Sequence, residues 1–108
     1  MKKRYRVVFT DESKLDIQRS VDWGRREWGR EAASKWYKQL KERIQQSLPF
    51  FPLGHPIAPE TDDLGFEVRH MIIDRYRVLF EIVGKTVRIL HLRGPYVGPD
   101  STDLGVDE

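Results

Sequence analysis

The stretch from Leu64 to Pro95, LGFEVRHMIIDRYRVLFEIVGKTVRILHLRGP, limits most sharply what this chain can fold into. It reads as three consecutive strands, over 66–73, 75–83 and 86–93, filled with β-branched and aromatic residues. Asp74-Arg75 marks one tight turn and Val83-Gly84-Lys85 the next, with Gly84 able to take the positive φ that a hairpin needs. Such a meander must bury one face, so the rest of the chain has to supply a cover.

Residues 4–9 alternate, with Tyr5, Val7 and Phe9 on one side, and predict a further half-buried strand. Thr10 and Asp11 are good N-caps for a helix over about 11–28. Its stripe is Ile17, Val21, Gly24 and Trp28, and Gly29 is its stop. A second helix over about 31–48 carries Ala33, Trp36, Tyr37, Leu40, Ile44 and Leu48 on one face. So short a break makes the two helices an antiparallel hairpin. By stripe position, Trp28 and Trp36 are expected in the core; Trp23 sits off the stripe.

Strand, helical hairpin and meander in that order predict an α+β fold with both helices on one face of an antiparallel-rich sheet. The first strand should pair within this sheet with a strand that is not its sequence neighbour. Leu48 to Asp63 holds four prolines and is expected to be neither helix nor central strand, with Glu60, Asp62 and Asp63 as a solvated acidic tip. Residues 1–97 are expected to form one domain and 98–108 an acidic, flexible tail.

A hydrophobic fraction of 39% and a charged fraction of 33% describe a globular chain rather than a disordered one. There is no cysteine, hence no disulfide or thiolate metal site, and a reducing cytoplasm is the expected location. No apolar run is long enough for a membrane span. His55, His70 and His91 lack metal-ligand spacing, and no cofactor motif is present. The net charge of +2 hides an asymmetry: Asp100, Asp103, Asp107 and Glu108 lie in the last segment without a base, leaving about +6 on the remainder. That balance suggests an anionic partner, or Lys and Arg that simply solvate a small domain.

The segment RYRVLFEIVGKTVRILHLRG resembles the C-terminal hairpin of the RelE/ParE toxin superfamily, with a Tyr-Arg pair opening a strand, a Gly turn and a basic end. HPIAPETDDLGFEVRHM is similar to the proline-rich loop and Leu-Gly-x-Glu-x-Arg strand of the plasmid-stabilisation members. The resemblance covers about residues 4–96. It implies a type II toxin, growth-inhibiting, silenced by a cognate antitoxin. Two mechanisms are implied: a ParE-like inhibitor of DNA gyrase, favoured here, or a RelE-like enzyme that cuts mRNA on the ribosome. A relative that only binds a partner is the third reading. In all three an apolar-basic surface on the sheet or helix pair is expected to be covered by an antitoxin segment.

Metal-free RNA cleavage needs a base for the 2′-hydroxyl, cations for the phosphorane and an acid for the leaving oxygen. The resemblance implies Arg77 as the phosphate-gripping cation, with Arg93 as a second and Tyr96 as an aromatic acid/base; Arg69 joins them as a candidate. The strand before Tyr76-Arg77 offers Glu67, Val68, Arg69 and His70 in place of paired lysines, so a full nuclease set is not visible. By polarity, Glu67 and Arg69 are expected on the outer face of the sheet with Arg77. The alternative use of Arg77 is a cross-strand ion pair with Glu67 or Glu81.

Overall fold

The computed structural model describes residues 4–94. A strand β1 (Arg6–Phe9) leads into helix α1 (Asp11–Trp28) and helix α2 (Arg30–Ser47). A 3-10 turn (Pro52–Gly54) and a short helix α3 (Glu60–Leu64) follow. The chain then forms β2 (Arg69–Ile73), β3 (Tyr76–Val83) and β4 (Thr86–Arg93). The sheet order is β1-β4-β3-β2, with β1 parallel to β4 and the other pairs antiparallel. This is the expected α+β architecture, and β1 does pair with the strand most distant from it in sequence.

The caps are those the sequence marks. Thr10 accepts from the Ser13 N–H at 3.2 Å, and its hydroxyl donates to the Ile89 carbonyl at 2.8 Å. One threonine thus starts α1 and ties it to β4. Gly29 takes φ 97° between the helices, a value that glycine alone adopts cheaply. Asp74 at φ 55° and Gly84 at φ 61° make the two predicted turns.

The helices cover one face of the sheet. Leu40, Ile44 and Leu48 from α2 and its end meet Val78, Phe80, Val87 and Ile89, all at or below 1% exposure. Tyr76, Val78 and Phe80 therefore face the helices, as their alternation requires. Trp28 does not join them. It is 43% exposed and stacks edge-on between Trp23 and Trp36, with ring centroids 5.3 and 6.4 Å away. Gly24 makes this possible, since a Cβ there would come within 2.9 Å of the Trp28 ring. Trp36 is partly buried against the core and lies 5.0 Å from the Tyr76 ring.

The proline-rich connection is more ordered than its composition suggests. Pro52 opens the 3-10 turn, and Pro59 precedes α3, which Gly65 ends at φ 80°. Proline excludes a helix interior but suits a helix start, where its missing N–H has no partner to lose. The loop edges the sheet: the Ala58 N–H bonds to the Val68 carbonyl at 2.7 Å and the His70 N–H to the Pro56 carbonyl at 3.1 Å. β2 is correspondingly shorter than the span 66–73, because residues 66–68 belong to this return rather than to the meander.

Candidate functional site

Two register details decide which charged residues meet on the outer face, away from the helices. On β2, Met71 pairs with Val78 and Ile73 with Tyr76, so these residues and Arg69 face the helices. His70 and Ile72 face outward with Leu79 and Arg77. The expectation that Arg69 shares the face of Arg77 is thus overturned. Polarity suggested it, but burial of Met71 and Ile73 sets the parity of the whole strand. Arg69 is instead a strut for the loop, donating to the His55 carbonyl at 2.7 Å and to Glu67 at 3.1 Å.

On β4 a bulge shifts the register between Leu79 and Phe80. Phe80 pairs with Ile89, yet Leu79 pairs with His91, so Leu90 is the extra residue. The parity of β4 flips there. Val87, Ile89 and then Leu92 are buried, and Arg93 is left outside, paired with Arg77. Leu90 packs with Leu79, Ala58 and Val68 in a small second core beneath the loop.

Arg77 stands beside this second core. Its Nη2 lies 2.6 Å from Glu60 Oε2 and its Nη1 3.2 Å from Glu60 Oε1, a two-pronged grip on one carboxylate. Nη1 also donates to His70 Nδ1 at 2.8 Å. A guanidinium only donates, so His70 accepts with Nδ1 and carries its proton on Nε2. Arg93 Nε is 3.7 Å from Glu60 Oε2. The cluster is half-sunk, with side-chain exposures of 30% for Arg77 and 20% for Glu60. Hydrogen bonds from Arg77 hold the Glu60 carboxyl below its ordinary range, against a smaller opposing effect of burial. Burial first, then the Arg77 charge, lowers the His70 pKa, with Glu60 pulling the other way. His55 is lowered by burial and by its proximity to His70, and its Nε2 lies 2.7 Å from Ser47 Oγ.

Sequence reasoning named Glu60 and His70 but missed that they are the partners of Arg77. Neither carboxylate considered for Arg77 is its partner. Glu81 pairs with Arg88, and Glu67 with Arg69 at 3.0 Å. Glu60 belonged to the tip assigned to solvent, which holds for Asp62 and Asp63 only. A proline start to α3 was the available signal, since it carries Glu60 back over the sheet. Tyr96 lies outside the described residues. Among the described residues, no group of three or more histidines or acids is placed to hold a metal ion, and no helix is long and apolar enough to cross a membrane.

The helix side presents a different surface. A groove of about 500 Å³ runs between α1 and α2 and reaches β1. Phe9, Ile17, Val21 and Tyr37 make its apolar wall, and Lys14, Arg25 and Lys41 its charged rim. Among the described residues no carboxylate lines it. The Lys41 amine sits 5.2 Å from the centre of the Tyr37 ring.

A small toxin-like α+β domain, with a helical hairpin across a mixed sheet and an arginine opening β3, is the class these features define. A family model, the ParE toxin of type II toxin-antitoxin system, parDE, matches residues 7–94. The chain belongs to that family. Among solved structures it is similar to one titled "Chromosomal ParDE TA system from P. aeruginosa". The TM-score is 0.69 at 18% identity, covering 84% of this chain and 96% of that one. That likeness concerns the fold. No curated protein matches the sequence.

Proposed function

We propose that this ParE-type toxin acts by binding DNA gyrase rather than by cutting RNA. The observation that carries the reading is the commitment of Arg77. Its two terminal nitrogens are taken by Glu60, and one is shared with His70. A phosphate entering there would have to displace a bidentate carboxylate on the same chain. Arg69, the second candidate cation, is turned to the other face and held by the loop. Arg77, Arg93 and His70 converge on or beside Glu60, so the cations and the imidazole that a phosphorane would need are engaged with one another, which supports the binding reading. Arg77, Arg69 and Arg93 are assigned here to holding the fold and surface, not to catalysis.

In this reading a cognate antitoxin silences the toxin by covering its apolar-basic surface with an acidic, apolar segment. The groove between α1 and α2 has that chemistry. The direct test is to incubate purified chain with gyrase and relaxed plasmid, and in parallel with translating ribosomes. Blocked supercoiling with intact mRNA is expected. Codon-phased, ribosome-dependent cuts that Arg77→Ala abolishes in a folded variant would overturn the reading in favour of the endonuclease. Neither activity would leave a binding module without a gyrase target.

A further inference from the structure

Arg77 and Arg93 stand directly opposite one another on β3 and β4. Like charges so placed repel, and an antiparallel pair carries them cheaply only with an anion between them. Glu60 supplies that anion, but unequally. Its Oε2 lies 2.6 Å from Arg77 Nη2 and 3.7 Å from Arg93 Nε, the second beyond hydrogen-bond reach. Among the described residues, Glu60 is the only carboxylate paired with either arginine, and Arg93 makes no hydrogen bond through its side chain. His70 accepts from Arg77 through Nδ1 and so brings no charge of its own. One negative charge thus faces two guanidiniums. We propose that Glu60 is an exchangeable internal counter-ion, and that Arg77 and Arg93 together bind a phosphate monoester when its carboxylate turns away.

Charge selects the ligand. A phosphate monoester carries about −1.5 to −2 near neutral pH, which balances both arginines where a carboxylate balances one. Its terminal oxygens let Arg77 keep a two-pronged grip while another oxygen meets Arg93. A phosphodiester has a single charge and gains little over Glu60 itself. Release of the carboxylate is local. Glu60 belongs to α3, which buries no residue. Its neighbour Thr61 is fastened separately, the hydroxyl donating to the Val68 carbonyl at 3.0 Å and accepting the Val68 N–H at 2.9 Å. The Glu60 side chain therefore swings out about its own bonds while the loop stays on the sheet. Because the tethered carboxylate competes continuously, the resting site binds weakly and admits the doubly charged anion ahead of singly charged ones. The site is one of binding alone and rests on no particular target of the toxin.

NMR titration of the full chain tests this at about pH 7.5, where a monoester with a second pKa of about 6 holds both charges. The ligands are phenyl phosphate, dimethyl phosphate and acetate. The signals followed are the Nε–H groups of Arg77 and Arg93 and the carboxylate carbon of Glu60. In the wild-type chain phenyl phosphate should move all of them, at a concentration about tenfold lower than either singly charged anion needs. Glu60→Gln should tighten phenyl phosphate by about tenfold, and Arg93→Met should remove most of its advantage over dimethyl phosphate. Adenosine 5′-monophosphate and phosphoserine carry the same group, and the tighter of the two names its source; failure of both to bind would overturn the proposal. So would an equal response to all three simple anions. Phenyl phosphate that moves Arg93 while the Glu60 signal stays would mean a surface contact only, and would overturn it in the wild-type chain without any variant having to fold. Unchanged affinity in a folded Glu60→Gln chain would do the same. None of these readouts uses gyrase, so a failed supercoiling assay leaves the phosphate site standing and a failed titration leaves the gyrase reading standing.

Discussion

The outer face of the sheet and the groove between the helices are both cationic, but only the outer face carries its counter-charge within the described fold. Arg77 meets Glu60 at 2.6 Å over a small apolar core, whereas Lys14 and Lys41 rim a groove that no carboxylate among the described residues lines. Two arginines and a histidine around one glutamate make a self-satisfied cluster whose first effect is on stability. Unmatched lysines around an apolar trough add nothing to the fold, and what they hold is energy for a contact still to be made.

Four measurements break or sharpen that contrast. The largest effect belongs to Leu79→Ala, which empties the core shared by sheet and loop. It should cost about 3 kcal/mol in denaturant unfolding, as for other buried leucines. Next comes Arg77→Met, which leaves Glu60 half-sunk without its cation and should cost about 2 kcal/mol. A double-mutant cycle with Glu60→Gln should return most of that cost as coupling, and full additivity would break the assignment.

Acidification comes third. The folded chain holds the His70 pKa below the ordinary value of about 6.5, so the unfolded chain takes up this proton first. Stability should therefore be complete above that value and fall as pH drops below it. His55 adds a slope of the same sign. Glu60 is also lowered, so its contribution is present above about pH 4.3 and is lost as pH falls through its folded value. His70→Gln should reduce the slope that begins below about pH 6.5, leaving the share due to His55, without removing the slope at lower pH. The smallest effect is Lys14→Gln with Lys41→Gln, within about 0.5 kcal/mol of wild type, since exposed charges without partners rarely support a fold.

The helices, the order of elements and both hairpin turns were legible in the sequence because each rests on local signals: stripes, a Thr cap, and Asp74 and Gly84 at turns. The distant pairing of β1 was legible only in outline. The outer-face cluster was half legible. Arg77 stood out, but its partner is 17 positions away in a segment that the prolines seemed to remove from regular structure. Two parities failed for separate physical reasons. On β2 the charge of Arg69 outweighed the more reliable apolar pair Met71 and Ile73. On β4 the alternation was ambiguous because it does change sides, at the Leu90 bulge. Trp28 misled differently: it lies on the helical stripe, but the stripe outruns the sheet, so its ring folds over Gly24 at the hairpin tip.

The parallel pairing of β1 with β4 has a consequence for synthesis. Val7 lies beside Val87, and the Thr10 hydroxyl bonds to the Ile89 carbonyl, so the first strand is seated by nearly the last residues of the fold. On a translating ribosome the helical hairpin can form early from local contacts, but the sheet has no place for β1 until β4 has left the exit tunnel. A chain cut short before Thr86 keeps the hairpin and loses the frame that flattens it. The complete surface thus comes into being only after β4 has been made, a built-in delay during which a partner already present in the cell can be waiting.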